Sequence, residues 1–408
     1  MALVKTISDV FDDDSRGTIS LFVPEPFQLR FDEIVDELEL WRHRGVRQLP
    51  EALVDYVNSE TGEGGVDLII LGTCEVDLNY YQEGLVDAWE RRDAEHKFKL
   101  VCIVHNAADV GWQRHIEHWS RRDAIRLLPI ADHVAKSFRD KYARLADSSD
   151  PHEYTAGFED IPIDVHVPLH DAARLNLPRR PFPRTLSRAV IQGTIDPSRR
   201  QYDRIFADLV DSIREDPQAW GYEPTPDASG AYLPDTRGPE EPFQLLLVGA
   251  GDIPIPPALT HVVSIHHDVP YRDFYALVAA ADIVVPAFAD LGYYDAQASS
   301  TVALAGALAV PLLATARLRR AYGYVDDARA TVARPAGLPE VLALRALRTG
   351  VVRFGAGPGP DVPPRTRAGA AAMVRGGWAR SAGEWAAWQA EVWARNRAVV
   401  VRVLEDAP

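Results

Sequence analysis

The stretch VIQGTIDPSRRQYDRIF, residues 190–206, combines an apolar strand, a glycine turn and the start of a basic helix. The apolar run ends at Gln192 and Gly193, and a helix is expected to open near Pro197. Gly193 permits close approach of the backbone to a ligand, and the first N–H groups of a helix lack partners within it. The stretch therefore predicts an α/β fold with an anion site at this turn.

Positive charge is concentrated in the same stretch, at Arg199, Arg200 and Arg204. The whole chain of 408 residues carries 59 acidic against 44 basic residues, for a net charge of -15. This balance argues against a broad nucleic-acid surface but permits a local site for a small anion. The arginines therefore suggest a diphosphate clamp, for which Gln192 and Thr194 are further candidates. A basic helix face in contact with water is the structural alternative.

Apolar runs alternate with amphipathic segments on both sides of this stretch, as expected for parallel sheets covered by helices. Strands are predicted at 18–24, 66–72, 99–106, 124–130, 188–193, 243–251, 261–267, 281–288 and 310–315. Helices are predicted at 31–44, 82–97, 131–145, 197–215, 270–280 and 299–309. Exposed loops are expected at 216–242 and 349–366, and a long helical tail at 367–404. The pattern predicts two doubly wound, Rossmann-like domains joined near residues 170–187.

A second candidate site lies in ADLGYYDAQASSTVALAGALAVPLLA, residues 289–314. Ser299 and Ser300 stand where a helix begins, so either is a candidate N-cap. With Thr301 they would also hold a phosphate through hydroxyl and backbone donors. Tyr293 and Tyr294 either line the same pocket or pack in the core.

Histidines follow predicted strands at two places. His105 ends an apolar strand in the first half, and strand carboxyl ends are where open α/β sheets bind ligands. Its imidazole could act as a general base or contact the donor, although a structural role is the usual one for such a residue. His266 stands at the corresponding end of a strand in the second half, where a base or ribose would bind, or where an ordinary surface loop would lie.

Other patterns speak against further cofactors. His115 and His118 are three residues apart on a predicted helix, but no carboxylate or cysteine completes a metal set, so no metal is expected. The turn VGAGDIPIP, residues 248–256, lacks the third glycine of a dinucleotide fingerprint. Cys74 and Cys102 lie in or beside apolar runs and predict buried thiols in a reducing compartment. No apolar run reaches about 20 residues, and no signal peptide is evident, so a cytoplasmic protein without a membrane span is predicted.

The order of these motifs resembles the GT-B glycosyltransferases, in particular uncharacterised fungal proteins of the glycosyl transferases group 1 type. The likeness is carried by five segments: VHNAADVGW, LLPIADHVAKSF, IQGTIDPSRRQYDRIF, VPYRDFYALVAAADIVVPAF and YYDAQASSTVALAGALAVPLLAT. They span roughly residues 104–315. None of them is diagnostic alone, and their order is the stronger signal.

The resemblance implies two Rossmann-like domains facing a cleft. An acceptor-side domain would cover 1–175, with a C-terminal helix at about 380–408 crossing back to it, and a nucleotide-sugar domain would cover 185–375. It implies a UDP- or GDP-sugar as the donor substrate, an unknown acceptor, and no cofactor. Carried over by position, Gly193, Arg199 and Arg200 would lie near the diphosphate, and residues 299–301 would hold the distal phosphate. His105 would lie near the acceptor.

The chain departs from that family in one respect. Many retaining members carry two glutamates in the order Glu-x7-Glu, and here those positions are Ala296 and Leu304, with Asp295 the nearest acid. A non-catalytic relative that binds a nucleotide sugar is therefore an alternative. So is a nucleotide-sugar epimerase of the same fold. A nicotinamide-dependent dehydrogenase is disfavoured by the incomplete glycine fingerprint.

Overall fold

The computed structural model describes residues 1–14, 17–24, 27–62, 65–150, 157–225, 230–238, 240–354 and 362–407. The strands are β1 Ile19–Phe22, β2 Arg44–Gln48, β3 Leu68–Leu71, β4 Lys99–Val104, β5 Ile125–Pro129, β6 Arg188–Gln192, β7 Tyr222–Pro224, β8 Tyr232–Pro234, β9 Gln244–Val248, β10 Val263–His266, β11 Ile283–Val284, β12 Leu312–Ala314 and β13 Thr331–Ala333. The α-helices are α1 Ala2–Asp14, α2 Phe31–Glu37, α3 Leu53–Ser59, α4 Cys74–Arg91, α5 Ile116–Ser120, α6 Asp132–Ala146, α7 Tyr202–Glu215, α8 Pro217–Trp220, α9 Tyr271–Ala279, α10 Gly292–Asp295, α11 Ser300–Ala307, α12 Ala316–Ala321, α13 Glu340–Thr349, α14 Pro364–Gly376 and α15 Ala382–Glu405.

The second half of the chain forms a six-stranded parallel sheet in the order β10-β9-β6-β11-β12-β13. This is the doubly wound Rossmann order, in which the chain changes direction across the sheet between its first and fourth strands. Here that switch point lies between β6 and β11. Ligands of open α/β sheets bind outside the carboxyl ends of the strands at such a point. The fold therefore selects the turn after Gln192 and the segment after β11 as the place to look for a site.

The first half forms a smaller parallel core. Its strands β3, β4 and β5 make one sheet, and β1 pairs with β2 in another. Every residue of β5 is buried, Arg126 included, which is why its sequence does not alternate between apolar and polar residues. The predicted α/β class with two parallel, helix-covered units is confirmed, while the exact domain boundaries stay predictions.

Several predicted elements are wrong in detail. The helix expected over 31–44 ends at Glu37, because Glu39 and His43 have positive φ angles of 50° and 52°, and β2 follows at once. The loop expected over 216–242 contains α8 and the β7–β8 hairpin, since Trp220 packs on Phe243. In the loop expected over 349–366, residues 355–361 lie outside the described residues. The tail is two helices, divided at Gly377, where φ is 63°.

The last helix joins the two halves of the molecule, as predicted for a returning C-terminal helix. Near its start, the Trp388 indole donates a hydrogen bond of 3.0 Å to the Tyr324 carbonyl and packs against Gly306. Near its end, buried Val400 packs with Leu3 of α1 and Leu128 of β5. Between them, the Asn396 amide makes both a donor and an acceptor bond to the Val167 backbone, at 2.8 and 3.0 Å. Thus α15 fixes the second unit against the first.

Replacing Trp388 with alanine should destabilise the protein more than any exposed change on the same helix. The indole is 1% exposed, and truncating such a core aromatic residue costs about 3–5 kcal/mol of unfolding free energy. Urea denaturation followed by circular dichroism measures this loss, with the exposed Arg395→Ala change on α15 as the matched control. Equal midpoints for the two variants would contradict the role given to this helix.

Candidate functional site

A buried guanidinium lies at the switch point of the second sheet. Arg200 is 3% exposed, and its Nη2 donates hydrogen bonds of 3.1 Å to both the Gln192 carbonyl and the Thr301 hydroxyl. Its backbone pairs with Phe288 beyond β11. Arg200 therefore connects the end of β6, the segment after β11 and the start of α11.

Thr301 is the centre of this arrangement. Its Oγ1 donates to the Gln192 carbonyl at 3.0 Å while it accepts from Arg200 and from the Ser299 hydroxyl, the latter at 3.1 Å. Ser299 is the N-cap of α11 and accepts the Thr301 N–H, which confirms that this serine pair marks a helix start. Ser300 is exposed at the same helix end. The N-terminus of α11 thus stands directly over the guanidinium.

The charge of Arg200 has no acidic counterpart. Among the described residues no carboxylate pairs with it, and its Nε is buried without a hydrogen-bond partner. Its Cζ lies 4.9 Å from the ring centre of Phe288 and 5.4 Å from that of Tyr293. Aromatic faces attract a cation but leave its net charge in place. The turn therefore carries an uncompensated positive charge, a condition that favours a bound anion.

The other predicted residues of this turn do not have the arrangement that a diphosphate clamp at a helix start would require. Helix α7 begins at Tyr202 rather than near Pro197, because the Asp196 carbonyl accepts both the Arg199 and Arg200 N–H groups in a tight turn. Arg199 and Thr194 are exposed. Arg200 is turned inward to the protein's own oxygen atoms. The prediction that the two arginines form an open clamp at a helix start is therefore wrong in its geometry.

Gly193 serves the packing of this turn. Its φ is 119°, and a Cβ placed on it would lie 2.8 Å from Arg200 Nη2. Gly249 faces it so closely that a Cβ there would lie 2.0 Å from the Gly193 carbonyl oxygen. The Gly249 N–H donates to the His266 carbonyl at 3.0 Å. His266 is thus two strands from β6 along the same edge, and its ring contacts the Ser264 hydroxyl at 3.1 Å.

The two tyrosines after β11 have different environments. Tyr293 is buried and stacks on Phe288, with ring centres 4.6 Å apart, as the packing alternative predicted. Tyr294 is half-buried, and the Arg317 guanidinium lies 4.6 Å from its ring centre. Burial raises the pKa of the Tyr294 hydroxyl, although the neighbouring Arg334, Arg317 and Arg200 act in the opposite direction. Tyr294 therefore stays neutral within a group of arginines.

His105 ends β4 as predicted, and a glutamate that sequence reasoning missed holds it there. Glu75, 7% exposed, accepts the backbone N–H groups of His105 and Asn106 at 2.5 and 2.7 Å. Its Oε2 lies 3.6 Å from His105 Nδ1. Burial alone would raise the pKa of this carboxyl, but the His105 ring and backbone N–H groups outweigh burial and hold the pKa below its usual range. The carboxylate is thus charged beside the imidazole.

The segment after β4 meets the segment before α11. The Ala107 N–H donates to the Ala296 carbonyl, and the Ala298 N–H donates to the His105 carbonyl, each at 2.8 Å. Asn106 and Gln297 form an antiparallel bridge. The structure therefore brings His105 of the first unit to within two residues of the Ser299 cap in the second.

Two other features of the sequence are the histidine pair on the predicted helix and the two cysteines. His115 Nε2 contacts the Asn79 amide oxygen at 3.1 Å, and the described residues contain no group of three or more His, Cys, Asp or Glu side chains that could hold a metal. The prediction of two free thiols is wrong, because Cys74 and Cys102 are joined in a disulfide between α4 and β4. The cysteines therefore no longer support a reducing compartment. No helix in the described part of the chain combines the length and apolar character needed to cross a membrane.

Comparison with known proteins gives weak likenesses only. No protein-family model and no curated protein matches the chain. Among solved structures, the crystal structure of the GtfA/B complex is similar at 12% identity with a TM-score of 0.44, over 87% of this chain and 60% of that one. The chain thus spans less than two thirds of that neighbour's length.

For two more solved structures, the match with this chain extends over a larger share of the neighbour's length. The OtsA apo structure is similar at 10% identity and a TM-score of 0.37, covering 93% of this chain and 95% of that one. A putative UDP-N-acetylglucosamine 2-epimerase from Listeria monocytogenes is similar at 8% identity and a TM-score of 0.33, covering 76% and 75%. Scores at this level carry no argument about function, so the proposal below depends on the site itself.

Replacing Glu75 with glutamine should weaken the protein in a pH-dependent way. The loss at pH 7 should be about 1–2 kcal/mol of unfolding free energy, because an amide oxygen is a weaker acceptor than a carboxylate. Since the folded-state pKa of Glu75 is lowered, its ionised form stabilises the fold above the ordinary glutamate range. That contribution disappears as the pH falls through the folded-state pKa.

Chemical denaturation from pH 7 down to about pH 3 measures this difference. The exposed Glu83→Gln change on the same helix is the control. A constant gap between Glu75→Gln and the unaltered protein across that range would show that Glu75 does not act as a buried carboxylate.

Proposed function

We propose that this protein is a glycosyltransferase of the GT-B type that moves a sugar from a nucleotide-diphosphate donor to a hydroxyl group of an acceptor. The observation that carries the proposal is the buried Arg200 guanidinium, which lies at the switch point of the sheet beside the start of α11 and has no carboxylate partner among the described residues. In a chain with a net charge of -15, such a place favours a compact anion such as a diphosphate.

The donor would bind at the carboxyl edge of the second sheet. Its distal phosphate would meet the N-terminus of α11, where Ser300 is exposed and Ser299 and Thr301 form the cap. Arg200 would act from below through its charge, since its Nη2 is occupied by Gln192 and Thr301. Tyr294, with Arg317 on its ring, would border the sugar or phosphate. His266, farther along the edge, would face the base or ribose.

The acceptor would approach from the first unit. His105 Nδ1 faces the Glu75 carboxylate, which leaves Nε2 available as a base. In the transfer step the acceptor hydroxyl gives its proton to Nε2 while its oxygen bonds to the anomeric carbon. The bond from that carbon to the diphosphate oxygen breaks, and its electron pair stays on the phosphate. Positive charge at Arg200 and the α11 N-terminus stabilises this leaving group.

Finer assignments belong to the proposal as well. Membership of the group 1 type and its fungal branch, UDP as the base-bearing part of the donor, transfer without a metal and a cytoplasmic location are all inferred from the sequence. So is the division into an acceptor-side domain and a donor domain at the boundaries given above. None of these assignments is required for the proposed transfer at the site described above.

A second function is favoured by one specific feature. No acid occurs from Ala296 through Pro311, where many retaining enzymes of this fold carry two glutamates. A non-catalytic relative that binds a nucleotide sugar would tolerate this loss. An epimerase of the same fold would instead convert the donor in the absence of any acceptor, which sugar analysis would detect.

Removing the buried guanidinium should abolish most donor affinity. Isothermal titration of UDP, GDP and their sugars should give at least about tenfold weaker binding for Arg200→Met, a loss of about 1.4 kcal/mol. Arg200→Lys should fall between, because lysine keeps the charge but lacks the planar fork. Arg199→Ala, in the exposed neighbouring residue, should have the smaller effect.

Folding has to be checked because Arg200 also makes internal contacts. Circular dichroism and the unfolding midpoint should show that the Lys variant is folded, and Arg214→Ala on the exposed face of α7 serves as the charge-matched control. Failure of every nucleoside diphosphate to bind the unaltered protein would remove the basis of the proposal. Unchanged affinity in folded Arg200→Met, which removes the charge, would do the same.

The His105→Gln change should separate transfer from binding. Loss of a general base lowers turnover by about 10²–10⁴-fold, whereas the donor constant should change less than about threefold, because the donor contacts lie in the second unit. Turnover is measured by release of nucleoside diphosphate with a panel of hydroxyl acceptors. Tight donor binding with no turnover by the unaltered protein over that panel would favour the non-catalytic alternative.

A further inference from the structure

Exposed apolar side chains gather around His105. Ten large apolar residues are clearly exposed in the described part of the chain, and five of them lie on segments that meet near this histidine. These five, each more than half exposed and together called the apolar rim below, are Leu49, Val76, Tyr80, Val110 and Leu291. Single exposed apolar residues need no explanation, whereas a group of them bordered by polar residues marks an interaction site.

Helix α4 carries the middle of the apolar rim. Val76 and Tyr80 are four residues apart, so they share one face of the helix. Val76 directly follows Glu75, whose carboxylate accepts the His105 and Asn106 N–H groups. The first turn of α4 is therefore fixed beside the proposed base.

The loop after β4 brings Val110 to one side of this helix. The Gln113 side chain donates to the Ala107 carbonyl at 3.1 Å and so closes the loop that contains Val110. Two residues further on, His115 Nε2 contacts the side-chain oxygen of Asn79, on α4, at 3.1 Å. The loop is thus held next to the same turns of α4 that carry the apolar rim.

Leu49 lies on the other side of α4. It directly follows β2, and the Tyr81 hydroxyl of α4 donates to the next carbonyl, that of Pro50, at 2.8 Å. The Tyr80 and Tyr81 rings are in edge contact, with their centres 4.8 Å apart. Leu49 is thus placed beside the turn that carries Tyr80.

Leu291 belongs to the second unit and extends the apolar rim across the contact between the units. It directly precedes α10, whose first carbonyl, that of Gly292, accepts the Ala296 N–H at 2.9 Å. The Ala296 carbonyl in turn accepts the Ala107 N–H of the first unit at 2.8 Å. The backbone thus connects the Leu291 segment to the loop that carries Val110.

The charges around the apolar rim disfavour an anionic ligand. The segments that carry it, residues 49–51, 72–80, 105–115 and 289–295, contain six carboxyl groups and one guanidinium. The acids are Glu51, Glu75, Asp77, Asp109, Asp290 and Asp295, and the arginine is Arg114. Only Asp295 has an arginine from outside these segments, Arg317, as an ion-pair partner among the described residues. A phosphate or carboxylate group would therefore meet like charge here, whereas an uncharged molecule would not.

The size of the apolar rim favours a small molecule over a protein partner. A stable protein–protein interface takes about 20–30 residues on each side. The apolar rim consists of five side chains around one histidine. The His105 side chain is itself 38% exposed, so a ligand on the rim can reach the imidazole.

We propose that the apolar rim binds the acceptor and selects an uncharged hydroxyl compound with an aromatic or alkyl part. This inference rests on the proposed function and adds the class of acceptor to it. The hydroxyl group of the acceptor points to His105, and its apolar part lies on the Val76 and Tyr80 face of α4. The Tyr80 ring supplies a broad apolar surface, and its hydroxyl stays in contact with water.

The first experiment compares two sugars that differ only in their apolar part. Phenyl β-glucoside and methyl β-glucoside are titrated by ligand-observed NMR into the full chain, without a donor. The phenyl compound should bind at least about tenfold more tightly, because its ring leaves water on the apolar rim. Equal affinity for the two glucosides would overturn the proposal.

Matched variants then locate the preference. Tyr80→Ser and Val76→Ser should each remove most of the difference between the two glucosides, while Val351→Ser, an exposed valine after α13, should keep it. All three changes are at exposed positions, and circular dichroism checks that each variant is folded. A preference for the phenyl compound that survives in both α4 variants would show that the ring binds elsewhere, which overturns the proposal.

Failure of this proposal is distinguishable from failure of the proposed function. Titration of UDP and GDP should give the same affinity for Tyr80→Ser as for the unaltered protein, because the donor contacts lie in the second unit. If no nucleoside diphosphate binds the unaltered protein, the proposed transfer is refuted, and the glucoside comparison still decides whether the apolar rim binds such compounds.

Turnover and association give the remaining readouts. With a donor that supports transfer, Tyr80→Ser should raise KM for the phenyl acceptor and leave kcat nearly unchanged, because Tyr80 binds the acceptor and does not take part in proton transfer. A lower kcat at unchanged KM would contradict that role. Sedimentation tests for a second copy of the chain. A dimer of the unaltered protein that dissociates in Tyr80→Ser would show that a partner chain covers the apolar rim, and would overturn the proposal.

Discussion

Burial of the Arg200 guanidinium constrains everything around the switch point of the second sheet. Removing a charged group from water costs several kcal/mol unless polar partners replace the water. Here those partners are the Gln192 and Arg199 carbonyls, the Thr301 hydroxyl and two aromatic faces, with no carboxylate among the described residues. The group is thus held in place but not neutralised. A small anion at the start of α11 would complete the balance of charge that the protein leaves open.

The same constraint explains why the two units meet where they do. Thr301 contacts Arg200 while Ser299 caps α11, and the residues just before this cap are held by backbone hydrogen bonds from Ala107 and to His105. On the far side, α15 connects the units through Trp388 and Asn396. The position of His105 relative to the N-terminal end of α11 is therefore set by main-chain contacts. Side-chain substitutions in the cleft would leave that spacing intact.

Local patterns in the sequence predicted what depends on local structure. Five of the six strands of the second sheet, the Ser299 cap and the location of His105 at a strand end follow from periodicity and capping preferences, whereas β13 was missed. Strand β2 was missed because the helix ends early, at positive φ angles of Glu39 and His43. Glutamate and histidine are not residue types from which a positive φ angle would be predicted. Arg200 points inward to Thr301, which is about a hundred residues away in sequence. Three neighbouring arginines in a sequence therefore indicate local positive charge but not which way each side chain points.

Glu75 shows the same limit, because its contact with His105 depends on how two strands pack and not on the sequence around it. An acid in the first turn of a helix is ordinarily assigned to the helix dipole, and the signal that Glu75 meets His105 is only that β3 and β4 are neighbours. The residue at position 296 increases the importance of Glu75 for the proposed site. Its side chain is a methyl group, and the nearest acids are committed, Asp295 to Arg317 and Asp290 to the Gly292 N–H. Among the described residues of the second unit no unpaired acid lies near the cap, so negative charge for the proposed transfer would come from the first unit. Glu75, buried and ionised behind His105, is the group placed to supply it.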